Sequence, residues 1–128
     1  HVKLHGPCGH REVIKKCQSA HLFVLPCIEG SDGNKDGLPV SITEALACDL
    51  PVITTPTTGI PEVVRNGHNG LMVPENDAQA LSEAIESLIC NPGLYNSLRS
   101  HTRTSVETAF DIKKTSEMLK NLFANGKL

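Results

Sequence analysis

Two acidic side chains, Asp36 and Glu44, bracket the most informative stretch of this 128-residue sequence. Between them lie Gly37, Leu38 and Pro39, and a helix is expected from about Pro39 to Cys48. Gly37 has no Cβ, so backbone there can approach a ligand closely. A helix start just beyond it turns unpaired N–H groups, and the positive end of its dipole, into the same space. Phosphate is the natural occupant of such a place. Pro39 suits the first helical position, because the N–H it lacks would have no partner there. Glu44 stands six residues beyond Leu38, a climb of about 9 Å at roughly 1.5 Å per residue. The two carboxylates are therefore too far apart to share a proton. They can instead hold opposite ends of an extended ligand, since carboxylates accept hydrogen bonds that sugar hydroxyls donate. An anion site between two hydroxyl acceptors has the outline of a nucleotide sugar: hexose, diphosphate, ribose. The alternative is that Asp36 is a loop carboxylate and Glu44 an exposed helix residue, because acids near helix starts are common.

The elements that must position these residues alternate between strand and helix. Val2-Lys3-Leu4 reads as a short strand, and residues 10–20 as a helix with Val13, Ile14 and Cys17 on one face. Leu22-Phe23-Val24-Leu25 is a continuous apolar run of the kind found in strands buried on both faces. Val52-Ile53-Thr54-Thr55 is a second such strand, rich in β-branched residues. Leu71-Met72-Val73 is the last strand, after tight turns at Asn66-Gly67 and Asn69-Gly70. Asp77 caps a helix whose apolar face is Leu81, Ala84, Ile85, Leu88 and Ile89. A polar helix over 93–108 and a last helix over 112–123 follow. Such alternation means an α/β fold, with a Rossmann-like parallel sheet covered by helices on both faces. Ligands of these sheets sit at the carboxyl ends of the strands. Two turn-rich loops lie there, residues 26–38 and 55–62. We expect one domain over residues 1–110 and a C-terminal helix of the same domain over 111–128.

Composition narrows the function classes. Aromatic residues make up 3% of the chain, with no Trp, which argues against a base-stacking platform. The formal charge of -2 argues against nucleic acid as partner. No apolar run approaches the roughly 20 residues of a membrane span. The chain opens abruptly on a strand and has no signal-peptide pattern, so it reads as part of something longer. Five cysteines without CxxC spacing point to small buried hydrophobes in a reducing cytoplasm rather than disulfides or zinc. His5, His10, His21, His68 and His101 are scattered, and Cys8-x-His10 offers too few ligands for a metal. His101, Arg99 and Arg103 read as a solvated helix face. Lys113-Lys114 also reads as solvated, with weak attraction to anionic lipid as the alternative.

Several spaced motifs together resemble retaining GT-B glycosyltransferases of family 4. Members read EGLP-x4-EAMA-x-G-x-PV, then GG-x-PE, then NG-x-LV-x-PGD. The corresponding residues here are Asp36–Ala47, Pro51-Val52, Thr58-Gly59-Ile60-Pro61-Glu62 and Asn69–Pro74. Ala20–Pro26 resembles the family's AD-x-FVLPS strand. The resemblance implies the C-terminal, donor-binding half of a GT-B fold with a helical tail. It implies transfer of a hexose from UDP- or GDP-hexose, with retention, without a metal or cofactor. It places Asp36 at the hexose and Glu44 at the ribose as the catalytic acids. Gly37, Leu38 and Pro39 form the wall, and Thr58 and Gly59 lie near the phosphates. Four positions depart from the pattern: Asp36 for Glu, Cys27 for Ser, Asp49 for Gly and Thr58 for Gly. The family's diphosphate-binding Arg and Lys, and its acceptor domain, would lie upstream of His1, so the chain is expected to be inactive alone. The implied partners are a nucleotide sugar and that acceptor domain. The implied location is the cytoplasm, with peripheral membrane contact allowed for the full-length enzyme. A non-catalytic nucleotide-sugar-binding module is the alternative, and a sugar-nucleotide epimerase a more distant one.

Overall fold

The computed structural model describes residues 2–30, 37–57 and 59–124. Its elements are α1 (His10–Ser19), β1 (Phe23–Leu25), α2 (Val40–Ala47), β2 (Val52–Thr54), α3 (Ile60–Val63), β3 (Gly70–Met72), α4 (Ala78–Cys90), α5 (Pro92–Ala109) and α6 (Ile112–Ala124). Among the described residues the strands form one parallel sheet in the order β1-β2-β3. Ile53 pairs with Val24 on one side and with Leu71 on the other. The expected α/β architecture is therefore present.

β2 is buried throughout and feeds both faces of the sheet. Val52 belongs to a cluster with Cys17, Ile42, Leu46, Ile60 and Val64, contributed by α1, α2 and α3. Ile53 belongs to a second cluster with Val73, Leu88 and Leu98, which takes in α4 and the start of α5. Successive side chains of a strand point to opposite faces, and this alternation is what joins the two layers. α5 then crosses the layers, packing against both α4 and α2.

Most elements fall where the pattern puts them, and the differences have physical causes. β1 is not buried on both faces: Val24 is exposed, because β1 forms the edge of the sheet among the described residues. Residues 2–4 form no strand. Val2 and Leu4 are almost fully exposed and meet no ladder that would satisfy their backbone groups. Pro39 is the N-cap of α2 and not its first residue, since its ψ of 122° is extended. The second turn-rich loop tightens into α3, with Pro61 in the first turn, where a missing N–H costs nothing. The last strand begins one residue early, at Gly70. Ile89 faces solvent rather than the core. Only Cys17 of the five cysteines is buried, and Cys90 is exposed. His101 is half-buried and packs its ring 4.1 Å from that of His68, while Arg99 and Arg103 are exposed as expected.

Asp77 caps α4 by accepting from the Ala80 N–H at 2.8 Å. α2 ends in a Schellman motif. Asp49 N–H donates to Leu46 O and Leu50 N–H to Ala45 O, both at 3.1 Å, with Asp49 at φ 59°. α6 buries no residue.

Gly70 is fixed by space. A Cβ there would lie 2.4 Å from Val52 O and 2.9 Å from Val64 Cγ1. Gly70→Ala is expected to lower stability by roughly 1–3 kcal/mol, the range for forced overpacking. Urea unfolding checks this, and an unchanged midpoint would contradict the packing described.

Candidate functional site

The site begins where β1 and β2 end. The chain leaves β1 at Leu25 into the first loop and returns at Gly37-Leu38-Pro39 to start α2. It leaves β2 at Thr54 into the second loop and reaches Gly59 at the start of α3. The two loops meet. A Cβ on Gly59 would sit 3.5 Å from both the backbone nitrogen and the Cβ of Leu38. Two positions far apart in sequence thus form one wall at the carboxyl edge of the sheet. Asp36 and Thr58 lie outside the described residues.

α2 presents the anion-binding feature. Its start has no side-chain cap and no acidic residue in the first turn. Nothing from the helix's own side chains offsets the positive end of its dipole there. Four residues on, Glu44 shows 26% of its side chain to solvent, so it is not a freely solvated surface acid. Its Oε1 lies 3.5 Å from Nδ1 of His10, at the N-terminus of α1. His10 itself is 71% exposed, so the pair adds little stability. It does give Glu44 a neighbour that no local pattern signals. The two residues are brought together only because α1 packs on α2.

Elsewhere, His68 and His101 line a cavity of about 220 Å³ with Glu62, Arg65 and Thr104. His101 Nδ1 lies 2.8 Å from Ser97 O, and because a carbonyl only accepts, that nitrogen carries the hydrogen. Among the described residues no group of three or more His, Cys, Asp or Glu could hold a metal ion.

Residues 1–105 match the protein family described as Glycosyl transferases group 1. The chain is 49% identical over 84 residues to a putative colanic acid biosynthesis glycosyltransferase, WcaL, of Salmonella typhimurium, covering 66% of this chain and 21% of that protein. It is 33% identical over 125 residues to the amylovoran biosynthesis glycosyltransferase AmsK of Erwinia amylovora, covering 94% of this chain and 31% of that protein. Among solved structures, HepE of Anabaena in complex with UDP-glucose superposes with a TM-score of 0.77 at 18% identity, covering 89% of this chain and 30% of that one. The last likeness concerns the fold, which is that of the parallel-sheet halves of GT-B glycosyltransferases. The chain spans between about a fifth and a third of the length of the two relatives.

Two thiols lie near the site, and neither is activated. Burial, and then the negative charge of Glu44, push the Cys17 thiol up from its ordinary range. Burial pushes Cys48 up as well, with Cys17, Asp49 and Glu44 adding and Arg103 opposing. A raised pKa means little thiolate near neutral pH, and the thiolate is the reactive form. Iodoacetamide at neutral pH should therefore modify exposed Cys90 well before Cys17, with Cys17 reacting only on unfolding. Mass spectrometry of the labelled peptides checks the order, and early labelling of Cys17 would contradict it.

Proposed function

Because this chain belongs to the glycosyl transferases group 1 family, we propose that it is the donor-binding half of an enzyme that transfers a hexose from a nucleoside-diphosphate sugar to an acceptor with retention of configuration. The observation that carries this reading is the meeting of Leu38 and Gly59 beside an uncapped start of α2, with Glu44 held largely out of solvent one turn further along.

In this reading the diphosphate lies against the backbone N–H groups of Gly37 and Leu38 and the start of α2. Pro39 has no N–H and shapes the wall only. Glu44 accepts hydrogen bonds from the ribose hydroxyls, and Asp36 accepts from the donor hexose. Thr58 and Gly59 close the phosphate side. As the bond to the departing nucleoside diphosphate breaks, negative charge grows on its phosphate oxygens. A helix dipole already aimed at that position stabilises the charge without rearranging. This supports transfer without a metal or other cofactor. Two relatives are a putative colanic acid biosynthesis glycosyltransferase and an amylovoran biosynthesis glycosyltransferase, which supports a growing polysaccharide as acceptor. The same reading puts this work on the cytoplasmic side, with the intact enzyme allowed to touch the membrane peripherally. UDP-glucose in HepE supports a nucleotide sugar as ligand.

Two substitutions in the intact protein test the assignments. Glu44→Ala should weaken binding of UDP or GDP about 10- to 100-fold, the loss expected for hydrogen bonds to a charged group, while circular dichroism stays unchanged. Isothermal titration at wild-type affinity would refute the ribose role. Asp36→Ala should lower transfer more than nucleotide affinity, and equal losses in both would count against its place at the hexose.

A further inference from the structure

The first loop does not leave the sheet freely. From the last paired residue of β1 onward, alternate backbone groups are held by side chains from neighbouring elements. Thr54 Oγ1 donates to Leu25 O at 2.8 Å. Thr55 Oγ1 donates to Cys27 O. Glu75 Oε2 accepts from the Glu29 N–H at 2.9 Å. Residues 25, 27 and 29 are thereby tied in sequence to the end of β2 and to the turn before α4. The Thr54 and Thr55 side chains have no access to water, being 0% and 1% exposed as residues. A buried hydroxyl without a partner is costly, so each is committed to its carbonyl.

Thr55 has a second part to play. Its own carbonyl accepts from the Thr57 N–H at 2.9 Å, which begins the turn of the second loop. That turn continues through Ile60 N–H donating to Thr57 O at 3.1 Å, and it delivers Gly59 against Leu38. A continuous path therefore runs from Cys27 through Thr55 and Thr57 to Gly59 and Leu38. It links the departure of one loop to the wall formed by the return of that loop.

The geometry points to Thr55 and Glu75 as positioning residues of the donor site: they set the two loops in one register, so that Gly37-Leu38-Pro39 and Gly59 are in place before the nucleotide arrives. Neither is assigned a contact with the nucleotide sugar in the donor reading. The inference rests on the donor reading above and adds to it the residues that hold its walls. Preorganised walls matter because ordering them on binding would subtract from affinity.

The test uses the intact protein, with UDP and GDP as probes in isothermal titration. Thr55→Val keeps the shape and removes the hydroxyl. Glu75→Ala removes the third tie at a solvent-accessible position, where folding is not at stake. Each should weaken nucleotide binding about three- to tenfold, the effect of losing one ordinary hydrogen bond's worth of order. Thr55→Ser should restore affinity, since it returns the hydroxyl. Thr54→Val serves as the contrast: its bond lies within the paired sheet, so it should lower the unfolding midpoint and leave affinity at the wild-type value. Wild-type affinity in folded Thr55→Val or in Glu75→Ala, or failure of Thr55→Ser to rescue, overturns the positioning role alone. Absence of any UDP or GDP binding by the wild type overturns the donor reading, and this inference with it.

Discussion

A strand buried on both faces leaves its hydroxyls no water to turn to, and that constraint organises this domain. Val52 and Ile53 fill the two layers on either side of β2. Thr54 and Thr55, which follow them, are equally buried and must bond to protein. The nearest carbonyls belong to the chain leaving β1, so the same burial that builds the core also fixes the path of the first loop. An apolar residue at position 55 would fill the space as well, but it would leave that loop without its tie at Cys27.

The site inherits its order from this arrangement. A helix start attracts an anion only in the space its N–H groups face, and here that space is bounded by a second loop on a different strand. Glu44 comes into place because the buried side of α2 is set by Ile42, Ala45 and Leu46, which turns residue 44 toward α1 rather than into the core. Packing thus decides both where an anion would rest and where a hydroxyl acceptor would stand. The Cys17 and Cys48 thiols show the same packing from inside: burial raises both, and the Glu44 carboxylate adds to the rise.

Much of this was legible in the residues. The β-branched run at 52–55 marked the central strand, Asp77 marked the start of α4, and the order of loop motifs marked Gly37-Leu38-Pro39, Glu44 and Gly59 as neighbours of one edge. Asp49 is instructive: it stands where the resembled motif has Gly, and its φ of 59° is the left-handed turn that glycine makes easily. What the residues did not reveal depends on partners distant in sequence. Val2-Lys3-Leu4 has strand composition, yet a strand exists only with a neighbour. His10 meets Glu44 across 34 positions, and Thr55 meets Cys27 across 28. The apolar run at 22–25 could not disclose that β1 is an edge. Where a short apolar segment borders a sheet is decided by topology, not by its own composition.

The last helix carries a different kind of consequence. Ile112, Met118, Leu119, Leu122 and Phe123 fall within one arc of α6, and all are exposed. A contiguous apolar stripe of this sort favours self-association. Among the described residues α6 is therefore held by its covalent connection to α5 and not by a buried face, and the solvation cost of its stripe is left standing.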